Sequence, residues 1–185
     1  MPANACYLWQ IRSGLVRTLT WDEEGCVVPL GFWGAGSLVG FALTRMEPFE
    51  IQCLATTEAE VLNPMSPIPN ATLLNYVRQQ SELMRILHAR GVERRLIQFL
   101  CWLADQFGQR APDGLHLKLT ITHQEIAESI GSSRVTVTRS LKQLENENKL
   151  KWSRHHQVIY WKTLNQIRAD FPVLPAFSPS LYRAG

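Results

Sequence analysis

Between Ile121 and Leu150 the sequence spells two short helices separated by a sharp corner, a pattern that few folds accommodate. Thr122, His123, Gln124 and Glu125 form a capping box, in which the threonine hydroxyl and the glutamate carboxylate each satisfy an orphan amide at a helix start. The helix beginning there runs through Ile126, Ala127 and Ile130 and halts at Gly131, whose freedom to adopt positive φ turns the chain. Ser132 or Ser133 caps a second helix, from Arg134 to about Asn146, with Val137, Leu141 and Leu144 on its inner face. Ala127, four residues before Gly131, is small enough to let the two helices approach closely. The pair therefore reads as a helix-turn-helix.

The outer face of the second helix carries Arg134, Thr138, Arg139 and Lys142. Arginine can donate a bidentate pair to guanine, threonine and serine can bind phosphate or contact a thymine methyl, and lysine neutralises backbone charge. Residues 149–153 and 158–161 read as two strands joined through Arg154, His155, His156 and Gln157, a β-hairpin wing. Adjacent histidines on a loop read first as surface or phosphate-contacting groups and second as metal ligands. The net charge of +3 is too small to argue from, but its distribution is informative. Residues 1–70 carry three basic groups (Arg12, Arg17, Arg45) against seven acidic ones, a balance of −4, whereas residues 116–162 carry eight basic against four acidic, a balance of +4. Only the back half is suited to meet a polyanion.

The front half reads differently. Residues 8–11, 15–21, 26–30, 51–55 and 59–62 are strand candidates, with turns at Ser13 and Gly14 and at residues 22–25, and with Gly31, Gly34, Gly36 and Gly40 spacing out a loop. A meander that builds a small β-sandwich or jelly-roll fragment is the expectation. Pro64, Pro67 and Pro69 end it, and Asn70 is the expected N-cap of a long helix to about Arg90. Along that helix Leu73, Val77, Gln80, Met84 and Leu87 recur at alternating four- and three-residue steps, the spacing of a coiled-coil seam. The alternative is that this stripe packs on the β domain. Leu74, Leu83 and Ile86 form a second apolar flank suited to that packing. A further helix, 92–107, buries Leu96, Ile97, Phe99, Leu100 and Leu103 and ends before Gly108; Pro112, Asp113 and Gly114 make a turn. The expected division is a β unit over 1–69, a dimerisation helix over 70–90, a DNA-binding unit over 91–170 and an extended tail over 171–185.

Composition narrows the class. A 185-residue chain that is 45% hydrophobic can build one large domain or two small ones. No apolar run approaches the roughly 18 to 20 residues of a membrane helix, and the N-terminus lacks the order of a signal peptide, so the cytoplasm is expected. Cys6, Cys26, Cys53 and Cys101 stand singly without metal-ligand spacing and read as reduced, mostly core thiols. No cofactor or metal site is expected. The stretch GAGSLVG, residues 34–40, reads as a barrel turn and not as a nucleotide fingerprint, since no strand-then-helix order surrounds it. No nucleophile motif is present either, so an enzyme is not expected.

With these features in place, ITHQEIAESIGSSRVTVTRSLKQLENENKL (121–150) closely resembles the DNA-binding motif of the Crp/Fnr regulators. RVTVTR (134–139), RRLIQFL (94–100) and PDGLHLKLTITHQEIAESIG (112–131) are similar to the nitrogen-control branch found in cyanobacteria. LWQIRSGLVRTLTWDEEG (8–25) more weakly resembles the middle strands of that family's cyclic-nucleotide-binding-type barrel, with roughly forty residues of it expected to be missing here. The implied fold is α+β: a truncated antiparallel β-barrel or jelly-roll sensor-like domain, a long dimerisation helix and a C-terminal winged helix-turn-helix. The implied function is a sequence-specific transcription regulator that binds a palindrome in double-stranded DNA as a homodimer, with RNA polymerase as a further partner. By the same similarity Arg134 and Arg139 contact bases, Ser133, Thr136 and Lys142 contact backbone, and His123 touches phosphate, with Val135 and Thr138 on the same DNA-binding helix.

Val135 stands where the cyclic-AMP-responsive members place a glutamate, and valine cannot accept from cytosine. The nitrogen branch also has valine there, which implies a GTA-type half-site. Ser140 occupies a position that is usually apolar in the family. Phe41, and Phe49 with Glu50, stand where the phosphate-binding glutamate and arginine–serine pair of the cyclic-nucleotide sensors belong, so cyclic AMP is not expected to bind. For 2-oxoglutarate, the branch's effector, Arg78 and Arg85 are the candidate carboxylate clamp. Three readings stay open in order of weight: a homodimeric regulator, an interaction module that pairs with a longer relative, and an enzyme.

Overall fold

The computed structural model describes residues 8–63, 67–119, 121–153 and 156–170. The front half contains β1 (Leu8–Ser13), β2 (Leu15–Trp21), β3 (Val27–Gly34), β4 (Leu38–Val39), a single helical turn α1 (Phe41–Thr44), β5 (Glu50–Cys53) and β6 (Glu58–Leu62). These strands form two antiparallel sheets of order β4-β1-β6 and β3-β2-β5, jelly-roll-like but not closed into a barrel among the described residues. The expected simple meander is therefore corrected: β1 and β2 are consecutive yet centre different sheets. The cause is Gly14, at φ 92, where a Cβ would lie 2.3 Å from Thr56 O, so only glycine lets the chain step between layers there.

Gly31 and Gly34 also depart from expectation, lying inside β3 and not in a loop. The ring of Trp33 lies against Gly31, where a Cβ would come within 2.3 Å of Trp33 Cζ2, and the Phe107 ring lies against Gly34. Here glycine makes room for aromatic rings, a role that looks identical to turn punctuation in sequence. Cys26 and Cys53 are exposed, correcting the core reading, because one sits in a turn and the other at a strand end; Cys101 is buried, and Cys6 lies outside the described residues.

α2 (Asn70–Leu87) follows. Pro69, not Asn70, holds the cap position: its extended backbone leaves its carbonyl to accept from Thr72 N at 2.9 Å, and no side chain caps the helix. The helix stops at Leu87, short of Arg90, and Gly91 at φ 89 redirects the chain into α3 (Val92–Phe107). Leu83 and Ile86 are buried as expected, but Leu74 is 54% exposed, because nine residues at about 100° each put it on the side of the helix opposite Leu83.

The back half adds β7 (Gln109–Arg110), β8 (Gly114–Leu117), α4 (His123–Ile130), α5 (Arg134–Asn146), β9 (Leu150–Trp152), β10 (Gln157–Tyr160) and α6 (Trp161–Asp170). Its sheet has the order β7-β8-β10-β9, so the wing hairpin is backed by a second, unforeseen hairpin; α6 was also unforeseen. One hydrophobic core joins the halves. Leu15, Phe32 and Leu54 from the front sheets belong to the same cluster as α3, α4, α5 and the back sheet, and Ile11, Val16, Trp33 and Val39 make a smaller one.

Gly114 is where β8 meets β10 most tightly, since a Cβ would sit 2.1 Å from Ile159 O. Gly114→Ala is expected to lower stability by roughly 2 kcal/mol or more by prising the two strands apart. A denaturant midpoint equal to wild type would contradict this packing.

Candidate nucleic-acid interface

The two helices of the corner are fixed from both ends. Thr122 Oγ1 accepts from Glu125 N at 3.2 Å, and Thr122 N donates to Glu125 Oε2 at 2.6 Å, completing the capping box. Gly131 takes the left-handed conformation at φ 60, and Ser132 N reaches back to Ala127 O at 2.9 Å. Of the two candidate caps for α5 it is Ser133 that serves, its Oγ accepting from Thr136 N at 3.1 Å. Ala127, Ile126, Ile130, Val137, Leu141 and Leu144 are all buried between the helices and α3. Arg95 of α3, not singled out by sequence, donates from Nε to Ile130 O at 2.9 Å and from a terminal nitrogen to Gly131 O at 3.3 Å, satisfying carbonyls that the corner would otherwise leave open.

α5 presents a polar and cationic face that also holds the apolar Val135. Ser133, Arg134, Val135, Thr138, Arg139 and Lys142 are exposed, and Thr136 is half-buried with its hydroxyl 2.9 Å from Ser133 Oγ. Arg134, Arg139 and Lys142 make no ion pair among the described residues. The helix holds one acid, Glu145, which accepts from Trp152 N at 2.8 Å and so ties α5 to the wing. Ser140 is half-buried. Of the wing tip, Arg154 and His155 lie outside the described residues, and His156 closes the turn through its carbonyl to Ser153 N at 2.9 Å. Among the described residues no three His, Cys, Asp or Glu side chains are placed to hold a metal ion.

His123 joins α4 to α5. The Thr138 hydroxyl donates to Arg134 O at 2.9 Å, so it receives the His123 Nδ1–H at 2.9 Å, and Nε2 is left as the ring's other polar atom. Burial lowers the His123 pKa below its ordinary 6.5, the nearby Arg134 guanidinium lowers it further, and Glu145 opposes them.

The apolar positions of α2 behave as a face without a partner in the single chain. Leu73, Val77, Met84 and Leu87 are exposed, Val77 and Met84 by 61% and 63%. Gln80 lies beside them and donates from Nε2 to Leu30 O of β3 at 2.6 Å. Arg85 pairs with Glu82 on its own helix at 2.7 Å. In the β unit, Phe49 is buried and Phe41 half-buried, and Glu50 accepts from Gln52 at 2.8 Å. The Trp33 ring stacks on Tyr76 of α2 at 4.5 Å, and Trp33 Nε1 donates to Thr18 Oγ1 at 2.9 Å.

A model of the Crp-like helix-turn-helix domain matches residues 94–167. The regulatory protein CysR of Synechococcus elongatus is 38% identical over 144 residues, covering 76% of this chain and 70% of that protein. The global nitrogen regulator of the same organism is 44% identical over 110 residues, covering 59% of this chain and 49% of the relative, so the chain spans about half of that relative's length. Among solved structures, two CRP-family regulators from Thermus thermophilus superpose with TM-scores of 0.70 and 0.69 at 22% and 21% identity, covering 86% and 91% of this chain and 86% and 90% of theirs. Those two share the fold.

The electrostatic origin of the His123 shift is testable in the free protein. His123 should titrate below an ordinary histidine by NMR, and Arg134→Ala should move its midpoint up, because a cation that opposes charging of the ring has been removed. A midpoint unmoved by Arg134→Ala would mean the guanidinium does not sit beside the ring.

Proposed function

This chain belongs to the Crp/Fnr family of transcription regulators, and from that premise we propose that it acts in the cytoplasm as a homodimer on a palindromic site in double-stranded DNA. The observation that carries the reading is the face of α5, where three cations, without ion pairs among the described residues, stand exposed on a helix whose other side is fully buried. Such a helix, seated in the major groove, delivers arginines to base edges and lysine to phosphate. Arg134 and Arg139 are assigned to bases, and Val135 offers an apolar contact in place of an acceptor for cytosine. Ser133, Thr136, Thr138 and Lys142 are assigned to the backbone, and His123 is assigned to a phosphate at the start of α4, to which Nε2 donates when the ring is protonated, Nδ1–H being given to Thr138. The resemblance of residues 134–139, with Val135, to the nitrogen-control branch implies a GTA-type half-site, with a spacer of about eight base pairs between the two halves.

Dimerisation falls to the exposed face of α2, within residues 70–90. Four large apolar side chains in a row lose solvent when a second copy of the helix packs on them, and Gln80 at their edge is anchored to β3. Residues 91–170 then read DNA, and the bound dimer meets RNA polymerase. Arg78 and Arg85 on α2 are the candidate carboxylate clamp for 2-oxoglutarate, and Arg85 would have to leave Glu82 to engage it.

The direct test is titration of a labelled duplex carrying GTA-N8-TAC, and of a scrambled duplex, at two salt concentrations with and without 2-oxoglutarate. Selective binding of the palindrome is expected. Equal binding of both duplexes would reject the reading. Arg134→Ala or Arg139→Ala should each cost roughly 1 to 3 kcal/mol on the palindrome and relax base preference, whereas Lys142→Ala should weaken every sequence alike and flatten the salt dependence. Equal losses on cognate and random DNA for the arginine variants would remove them from the bases.

Val77→Asp tests the dimer face. Because Val77 is exposed in the single chain, the variant should keep its circular dichroism and sediment as a monomer, with palindrome affinity reduced about tenfold or more. A persistent dimer would place the interface elsewhere.

A further inference from the structure

Arg17 is the most deeply buried cation among the described residues, 4% exposed at the centre of β2. An arginine so far from water must be paired, since an unpaired charge in that position is strongly unfavourable. Its Nε donates to Gln52 Oε1 on the neighbouring strand β5 at 2.8 Å. One terminal nitrogen donates to Glu128 Oε2 at 2.9 Å, and the other lies 3.4 Å from Glu125 Oε1. Both carboxylates belong to α4, the first helix of the DNA-reading corner, more than a hundred residues away in sequence.

Each carboxylate is divided between two tasks. Glu125 Oε2 accepts from Thr122 N in the capping box while Oε1 faces Arg17; Glu128 Oε1 accepts from Gln124 Nε2 at 3.1 Å and its Oε2 accepts from Arg17. The planar guanidinium thus engages two successive turns of α4 in a fixed direction, which a point charge such as lysine could not reproduce. On the opposite side, Arg17 pairs in register with Phe32 of β3. The Phe32 ring meets Phe99 and Trp102 of α3 edge-on at 5.4 and 6.0 Å, and two residues earlier on β3, Leu30 O receives Gln80 of α2. A continuous path of hydrogen bonds and strand pairing therefore runs from the dimer-face helix α2 through β3 and β2 to α4, and from α4 to α5.

We propose that Arg17 is a positioning residue for DNA recognition: through Glu125 and Glu128 it sets the orientation of the helix-turn-helix relative to α2, and so the separation of the two recognition helices in the dimer. This rests on the homodimer reading above. The aliphatic contacts of Leu15 and Leu54 are non-directional and the Phe32 ring orients β3 against α3, whereas the guanidinium fork acts on α4 itself and fixes its rotation. The fork touches no base and leaves every DNA-facing side chain in place. Its loss should therefore alter which half-site spacing is preferred without altering how a half-site is read.

The test measures the affinity of the full chain for GTA/TAC palindromes whose spacers run from about six to ten base pairs. Wild type should favour one spacer over its neighbours by about tenfold. Arg17→Met, an aliphatic replacement of similar length, should compress that ratio to within about threefold while leaving both the salt slope and the penalty for a mutated half-site unchanged. Arg17→Lys should not restore the ratio. If Arg17→Met loses its cooperative melt, Glu128→Gln, which keeps the shape and breaks one arm of the fork, should give a partial compression and decides the matter. An unchanged spacer ratio in a folded Arg17→Met, or in Glu128→Gln where that variant has to decide, would overturn the positioning role even where wild type behaves as a palindrome-binding dimer. A wild type that ignores the palindrome altogether would instead overturn the proposed function on which this inference stands.

Discussion

Residues 96–104 of α3 are buried without interruption, over more than two turns of an α-helix. A helix hydrophobic on one stripe needs one neighbour; a helix buried all round must be contacted from every side. Phe32 of β3 closes one side of α3, α4 and α5 close a second, and β8 with α6 completes the enclosure. Phe32, Phe99, Trp102 and Phe107 meet largely edge-to-face, so ring geometry as well as area specifies how the front sheet sits on the back half. The same enclosure pushes the Cys101 thiol far above its ordinary pKa, with the Asp105 carboxylate adding to the effect, which keeps that sulfur chemically quiet.

Around this apolar axis the polar groups do the aiming. The corner between α4 and α5 is held by Thr122, Ser133, Gly131 and Arg95 together, each satisfying backbone groups that a sharp turn would otherwise expose. A recognition helix held at both ends loses little freedom when it meets a ligand surface, so less binding free energy is spent on ordering it. Arg17 extends the same logic across the junction of the two halves, giving α4 a directional tie to β2 beside the ring contacts that seat β3 on α3. The division of charge fits this arrangement: the front half is acidic overall, its one deeply buried cation is turned inward, and the exposed cations of α5 are left for a polyanion.

The elements most legible in sequence were those specified by short-range chemistry. The capping box, Gly131, the serine cap and the apolar spacing of α3, α4 and α5 all depend on partners within four residues, so local pattern sufficed to place them. Glycine was legible only as freedom of φ: Gly14, Gly36 and Gly131 take positive φ, but Gly31 and Gly34 are glycine because aromatic rings lie against them, and one of those rings comes from residue 107. The pairs β7 with β8 and β8 with β10 were missed because two- to four-residue strands carry too little periodicity to register, and α6 because its apolar positions are few.

The sequence by itself determined the helix-turn-helix, the cationic face of α5 and the family likeness, because each is written in contiguous residues whose chemistry acts over a few ångströms along the chain. Only the tertiary structure decided that Leu83 is covered while Val77 stays exposed, and that Arg17 belongs to Glu125 and Glu128. A charge in the middle of an apolar strand announces that it needs a partner, but any of sixteen acids could have supplied it. Which two do so follows from how the front sheet docks on α3 and α4, and that is settled by three-dimensional packing between segments more than a hundred residues apart.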